Sequence, residues 1–270
     1  MDLVKSNYSS SDSEYELEEK REDLPKLPDD IIYRFQKDPM PSRSNTFRTF
    51  VFLEVSPNKA QIQTLNHVIQ LANKSVKHEG NHFTSLYTGR LNAVRPLHVT
   101  LSMLQPHPDK ESQRRWIETM RNRITQDNTL KPLKLNFPIR LSILRTAARV
   151  TLMLCLPLSD ELKNTYIKRI CSYLSLPSDD AIAPSTNVIV PEDAHVSIGK
   201  DAKDPFFLRN ELIGDCEAIS HKMSRLQNLL NEASDRLLEE GVKELEFECT
   251  EIKLQLNWGS VATIPLGGNK

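Results

Sequence analysis

The 270-residue chain is 39% hydrophobic, enough for one large core or two smaller lobes, and carries a formal net charge of −1. No apolar run approaches the roughly 18 residues of a membrane span, and no charged-then-apolar leader opens the chain, so a soluble, non-secreted protein is expected. The near-zero charge hides an asymmetry. Residues 1–30 sum to −6 and residues 31–270 to +5, a surplus that suits a polyanionic ligand but does not by itself argue for nucleic acid.

The first segment, rich in Ser, Asp and Glu, cannot bury enough apolar surface to offset its ordering entropy. Residues 1–40 are read as a disordered acidic, Ser-rich tail and 41–270 as the folded domain. Thr46–Val55 is dense in β-formers and predicts a strand. Ser56-Pro57 then opens a helix whose apolar stripe is Ile62, Leu65, Val68, Ile69 and Ala72. A strand over about Arg95–Leu104 follows, then a helix after Asp109 with Trp116, Ile117, Met120 and Ile124 on one face. Pro132–Leu144 and Val150–Leu156 read as a hairpin joined around Arg145–Arg149. A third helix turns Leu162, Tyr166, Ile170 and Leu174 inward. After it come a strand over about Asn187–Gly199 and a long amphipathic helix from about Glu211 to Glu240, ending at Gly241. The last strands are Glu244–Leu256 and Val261–Leu266, with Trp258-Gly259 at their turn.

Two of these strands carry nearly the same five residues, His98-Val99-Thr100-Leu101-Ser102 and His195-Val196-Ser197-Ile198-Gly199. The period of a half-buried strand puts His98, Thr100 and Ser102 on one face, and His195 and Ser197 on one face of the other. His67, His78, His82, His107 and His221 do not fit the pattern, and about 0.15 matches are expected by chance. Two imidazoles, each with a hydroxyl two residues on, suit a reaction that takes a proton from one oxygen and gives one to another. Cys155, Cys171, Cys216 and Cys249 are widely spaced, which predicts buried free thiols in a reducing compartment rather than a zinc site. Each histidine strand follows a strand–helix pair. The expected fold is therefore α+β, with two pseudo-symmetric lobes, each an antiparallel sheet with outer helices, around a central cleft.

HVTLS at 98–102 and HVSIG at 195–199 resemble the two signature motifs of the 2H phosphodiesterase superfamily. Within it the chain is most similar to the U6 small nuclear RNA phosphodiesterase family. The Ser/acid stretch Tyr8–Glu14, the strand FRTFVFLEV at 47–55 and the closing segment IKLQLNWGSVATIPL at 252–266 carry that resemblance. It implies a monomeric nuclear 3′–5′ exoribonuclease that trims the oligo(U) end of U6 snRNA, with no cofactor, metal or membrane. The product end is a 2′,3′-cyclic phosphate. His98 and His195 are the implied acid and base, with His195 taken as base, although the two positions are pseudo-equivalent in sequence. Thr100, Ser197 and Ser102 are the implied phosphate-binding hydroxyls, and Arg95, Arg145, Arg149, Lys200 and Lys203 the candidate RNA contacts. Where many members place an aromatic residue that stacks on the terminal base, Pro184–Ala194 has none. Base selectivity is left open, as is the opening of the cyclic phosphate by water. Two other functions fit the residues: a cyclic phosphodiesterase acting on small nucleotides or tRNA splicing products, and a non-catalytic RNA-binding module.

Overall fold

A computed structural model describes residues 47–89, 93–146, 151–175, 187–201, 206–207, 209–210, 214–257 and 259–267. All fall within residues 45–270, the larger of the two compact units of the chain. The predicted tail over 1–40 lies outside the described residues.

Strand β1 (Phe47–Val55) alternates strictly, with Val51, Leu53 and Val55 fully buried and Phe50, Phe52 and Glu54 half-buried. Helix α1 (Lys59–Val76) starts two residues later than the Ser56-Pro57 signal, because Asn58 and Gln61 form a reciprocal capping box. After β2 (Thr84–Ser85) and β3 (Leu97–His107), Asp109 caps α2 (Lys110–Gln126) by accepting from the Ser112 N–H. Trp116, Met120 and Ile124 form the buried stripe of α2, as its spacing predicts.

The predicted strand over Pro132–Leu144 is two strands, β4 (Leu133–Pro138) and β5 (Ser142–Thr146). At Ile139–Leu141 the chain changes partner while keeping Ile139 and Leu141 inside, so the hydrophobic alternation runs on across the break. Strand β6 (Thr151–Pro157) pairs with β5. A helical turn (Asp160–Leu162) and a π-helical stretch (Lys163–Ile167) lead into α3 (Lys168–Ser175). Of the four residues expected inward, Ile170 and Leu174 are buried, and Leu162 and Tyr166 only partly so. Strand β7 (His195–Asp201) precedes α4 (Cys216–Glu239). That helix stops at Gly241, whose φ of +87° and N–H to the Leu238 carbonyl close its C-terminus. The last predicted strand, Glu244–Leu256, is also divided, at Thr250, into β8 (Glu244–Cys249) and β9 (Glu251–Leu256), followed by β10 (Ser260–Pro265).

All strand pairs are antiparallel. The large sheet runs β10-β9-β1-β3-β7-β6-β5, with β2 also on β7, and β4 and β8 form a separate ribbon. The two expected lobes are its halves, β10-β9-β1-β3 and β7-β6-β5. They are not separate sheets, because β3 and β7 are joined by one registered pair, Val99 opposite Val196. Two of the four helices α1–α4 are exchanged between halves. Helix α1, which follows β1, packs on β2 and β7, while α3, which follows β6, packs on β3 and α2. Each half therefore completes the core of the other. Val51, Leu53, Val99, Leu152, Leu154 and Val196, all essentially without solvent exposure, face this helix layer. Among the described residues no helix is long and apolar enough to cross a membrane. Cys155, Cys171 and Cys249 are buried free thiols as expected, but Cys216, at the start of α4, is exposed.

Near the end of β3 the His107 ring lies 5.3 Å from Trp116, with Nε2 3.1 Å from the Thr49 hydroxyl. Burial pushes its pKa down from 6.5 to about 4. The unfolded chain takes up this proton as pH falls through 6.5, whereas the folded chain does so only near 4. Stability is therefore lost across that window as acid is added, by up to about 1.4 kcal/mol per pH unit from this group. Urea unfolding at pH 7 and pH 4.5 is expected to show a shallower pH slope for His107→Gln than for the parent. An unchanged slope would contradict a buried neutral imidazole.

Candidate active site

The face of the sheet opposite the helices carries both predicted histidines. In β3, Leu97, Val99 and Leu101 turn into the core, leaving His98 and Thr100 on the open face. In β7, Val196 and Ile198 do the same for His195 and Ser197. One residue to either side of the Val99–Val196 pair, the antiparallel register sets His98 across from Ser197 and Thr100 across from His195. The motifs thus face each other as a four-cornered set with the imidazoles on one diagonal.

The two rings feel one another. Burial lowers the His98 pKa below its ordinary 6.5, and the positive charge of His195 lowers it further. Although His98 is exposed as a residue, its ring is shielded by two phenyl groups, edge-to-face with Phe50 at 5.6 Å and Phe52 at 5.7 Å between centroids. His195 is held differently. A 3₁₀ turn, Pro191–Asp193, interrupts the strand expected over Asn187–Gly199 and brings the Asp193 carbonyl to 2.6 Å from His195 Nδ1. A carbonyl only accepts, so Nδ1 carries the hydrogen and Nε2 of the neutral ring keeps its lone pair. The turn is itself anchored by the Leu158 N–H on the Ala194 carbonyl.

The hydroxyls at histidine plus two sit beside partners from the flanking strands. Thr100 is opposite Phe52, and Ser197 opposite Cys155, whose Sγ lies 3.4 Å from Ser197 Oγ. Burial raises the Cys155 thiol to about 12, so it is neutral and adds no negative charge to the site.

Ser102 is not part of this set. The register slips between Val51–Ser102 and Phe52–Thr100, leaving Leu101 as an extra residue, so Ser102 turns into the core with 1% exposure. Its hydroxyl donates to the Met103 and Asn187 carbonyls. Strand β7 has the matching slip at Ile198, which turns Gly199 inward and Lys200 outward, opposite Met153 on the face of the histidines. Gly199 is a close-approach position, since a Cβ there would sit 3.3 Å from the Cβ of Phe83. Of the other candidate contacts, Arg145 pairs with buried Leu152 and so belongs to the helix side of the sheet. Arg95 is exposed just ahead of β3, its guanidinium lying over Gly89. Arg149 and Lys203 lie outside the described residues.

The sequence pattern alone does not single out four further residues of this face. Phe50 and Phe52 stack at 5.3 Å. Glu54, directly opposite His98, accepts a 2.8 Å bond from Lys253 Nζ. Alternation within 47–55 separates these side chains from Val51, Leu53 and Val55, but only the register with β3 and β9 shows which set faces the histidines. A polar pocket of about 340 Å³ near β8, lined by Ser56, Gln61, Lys134, Glu246 and Glu248 among others, is net acidic and suits an anionic substrate poorly. Among the described residues no group of three or more His, Cys, Asp or Glu is arranged to hold a metal ion.

Residues 39–261 match the model of the HVSL family, described as an uncharacterised conserved protein. No curated protein matches the chain. Two solved structures of Kluyveromyces marxianus Usb1 share the fold. One, with uridine monophosphate, is 24% identical with a TM-score of 0.67. The other, described without it, is 23% identical with a TM-score of 0.68. Each comparison covers 83% of this chain and 99% of the other.

Removing the charge of His195 is expected to raise the His98 pKa while leaving it below 6.5, because burial is the larger cause. Titration of the His98 Cε1–H resonance in wild type and His195→Ala reads this directly. Identical pKa values in the two proteins would contradict the proximity of the rings.

Proposed function

Because the chain belongs to the HVSL family, the U6 small nuclear RNA phosphodiesterase family, we propose that it is a nuclear, monomeric 3′–5′ exoribonuclease trimming the oligo(U) end of U6 snRNA. The observation that supports this most is the electrostatic coupling of two imidazoles on the open face of one sheet, each with a hydroxyl two residues on.

In the proposed reaction His195 Nε2 takes the proton of a ribose 2′-OH, and O2′ attacks the adjacent phosphorus. The bond from phosphorus to the 5′-oxygen of the terminal nucleoside breaks, and His98 gives that oxygen a proton. The RNA keeps a 2′,3′-cyclic phosphate. The Asp193 carbonyl supports His195 as the base, because it fixes the tautomer with Nε2 unprotonated. The lowered pKa of His98 makes it the stronger acid once protonated, and the negative phosphodiester favours that protonated form. Thr100 and Ser197 donate to the non-bridging oxygens, whose charge grows in the transition state. Lys200, on the same face, is the supported phosphate contact along the RNA. If water replaces the 2′-OH, the same pair with exchanged roles opens the ring to a monophosphate.

Incubation with 3′-oligouridylated RNA, followed by mass spectrometry of the ends, is expected to show stepwise loss of uridine, a cyclic phosphate end and full activity in EDTA. His98→Ala and His195→Ala are each expected to cost about 10²–10⁴-fold in rate, and Thr100→Ala and Ser197→Ala about 10²-fold. Ser102→Ala, buried elsewhere, is expected to leave the rate unchanged. A strict magnesium requirement, or activity confined to small cyclic nucleotides, would overturn the proposal.

A further inference from the structure

The two histidine strands match each other residue for residue, but the strands outside them do not. Opposite the histidine and the hydroxyl of β7 stand Pro157 and Cys155. Opposite those of β3 stand Glu54 and Phe52. Phe50 joins Phe52 on the same face, the ring centroids 5.3 Å apart and the planes within 26°. On this strand Val51, Leu53 and Val55 already fill the core and are fully buried, so the two phenyls do not serve the helix layer. They lie half-buried on the face that also carries His98, Thr100, Glu54 and Lys253, opposite to the face of the buried core residues. His98 meets both rings edge-to-face and covers one side of the pair.

We propose that Phe50 and Phe52 form the stacking surface for a nucleobase, on the His98 side of the scissile phosphate only. With the acid and base as proposed above, on which this inference rests, that base belongs to the departing 3′-terminal nucleoside. An aromatic face is sequence-tolerant, since every base presents a π-surface. The residues ahead of His195, Pro184–Ala194, hold no aromatic side chain that would take the base there.

Two isomeric ligands separate the sides. Uridine 5′-monophosphate places its base on the leaving side of the phosphate, and uridine 3′-monophosphate on the attacking side. Ribose 5-phosphate is the baseless control. Calorimetric titration of wild type is expected to show uridine 5′-monophosphate binding about tenfold or more tighter than ribose 5-phosphate. In Phe50→Leu/Phe52→Leu, which keeps apolar volume without a ring, that preference is expected to vanish while uridine 3′-monophosphate binding holds. Nuclear Overhauser contacts from the uracil protons to ¹³C-labelled phenylalanine rings in wild type test the same contact without a variant. Equal binding with and without the base, a loss confined to the 3′-isomer, or no base-to-phenyl contact overturns the inference. If wild type still trims oligouridylated RNA in that case, the proposed function stands. If wild type neither trims RNA nor binds any of the three ligands, both fall.

Discussion

One antiparallel pair, Val99 on Val196, fixes the relation between the two halves of the molecule. Both valines are buried to within 1% of their surface, so the face that their neighbours occupy is dictated by the hydrophobic effect rather than by polar contacts. A shift of one residue at this junction would flip one strand against the other and send one of the two histidines into the helix layer. The exchange of helices between halves protects the register, because each half-sheet is covered by a helix belonging to the other. The spacing of the imidazoles is thus inherited from the core.

The bulges refine that arrangement. Each falls three residues after its histidine, at Leu101 and at Ile198. Each takes a strand that would otherwise alternate to its end and turns it inward after the hydroxyl. The polar set is thereby limited to histidine and hydroxyl on each strand, with Lys200 re-emerging on the open face of one. Symmetry ends at the flanking strands. His195 is oriented by a backbone carbonyl and stands opposite Pro157, while His98 is oriented by phenyl edges and stands opposite a carboxylate already engaged by Lys253. Two residues equivalent in sequence therefore sit in different environments, which is what separate acid and base roles require.

The histidines, Thr100 and Ser197 were legible because strict alternation needs only a strand and a buried face. Ser102 was misplaced for the same reason: a bulge is set by pairing, and alternation carries no mark of it. Lys200 reaches the open face only through the equivalent slip. Arg145 reads as a turn residue, yet its pairing with Leu152 sends it to the other side. The single strands expected over Pro132–Leu144 and Glu244–Leu256 are each broken where the chain changes partner; apolar alternation continues through the first break, whereas at the second it slips by one residue between Cys249 and Ile252. The phenyls of β1 could not be told from core residues, because their exposure depends on what does not cover them.

The division of labour between the two histidines is the central claim, and a substrate with sulfur in place of the scissile 5′-oxygen tests it most directly. A thiolate leaves without needing a proton, so such an RNA bypasses the general acid alone. His98→Ala is expected to cleave it at close to the wild-type rate, while His195→Ala remains impaired on it. Rescue of His195→Ala instead, or of neither variant, would contradict the account.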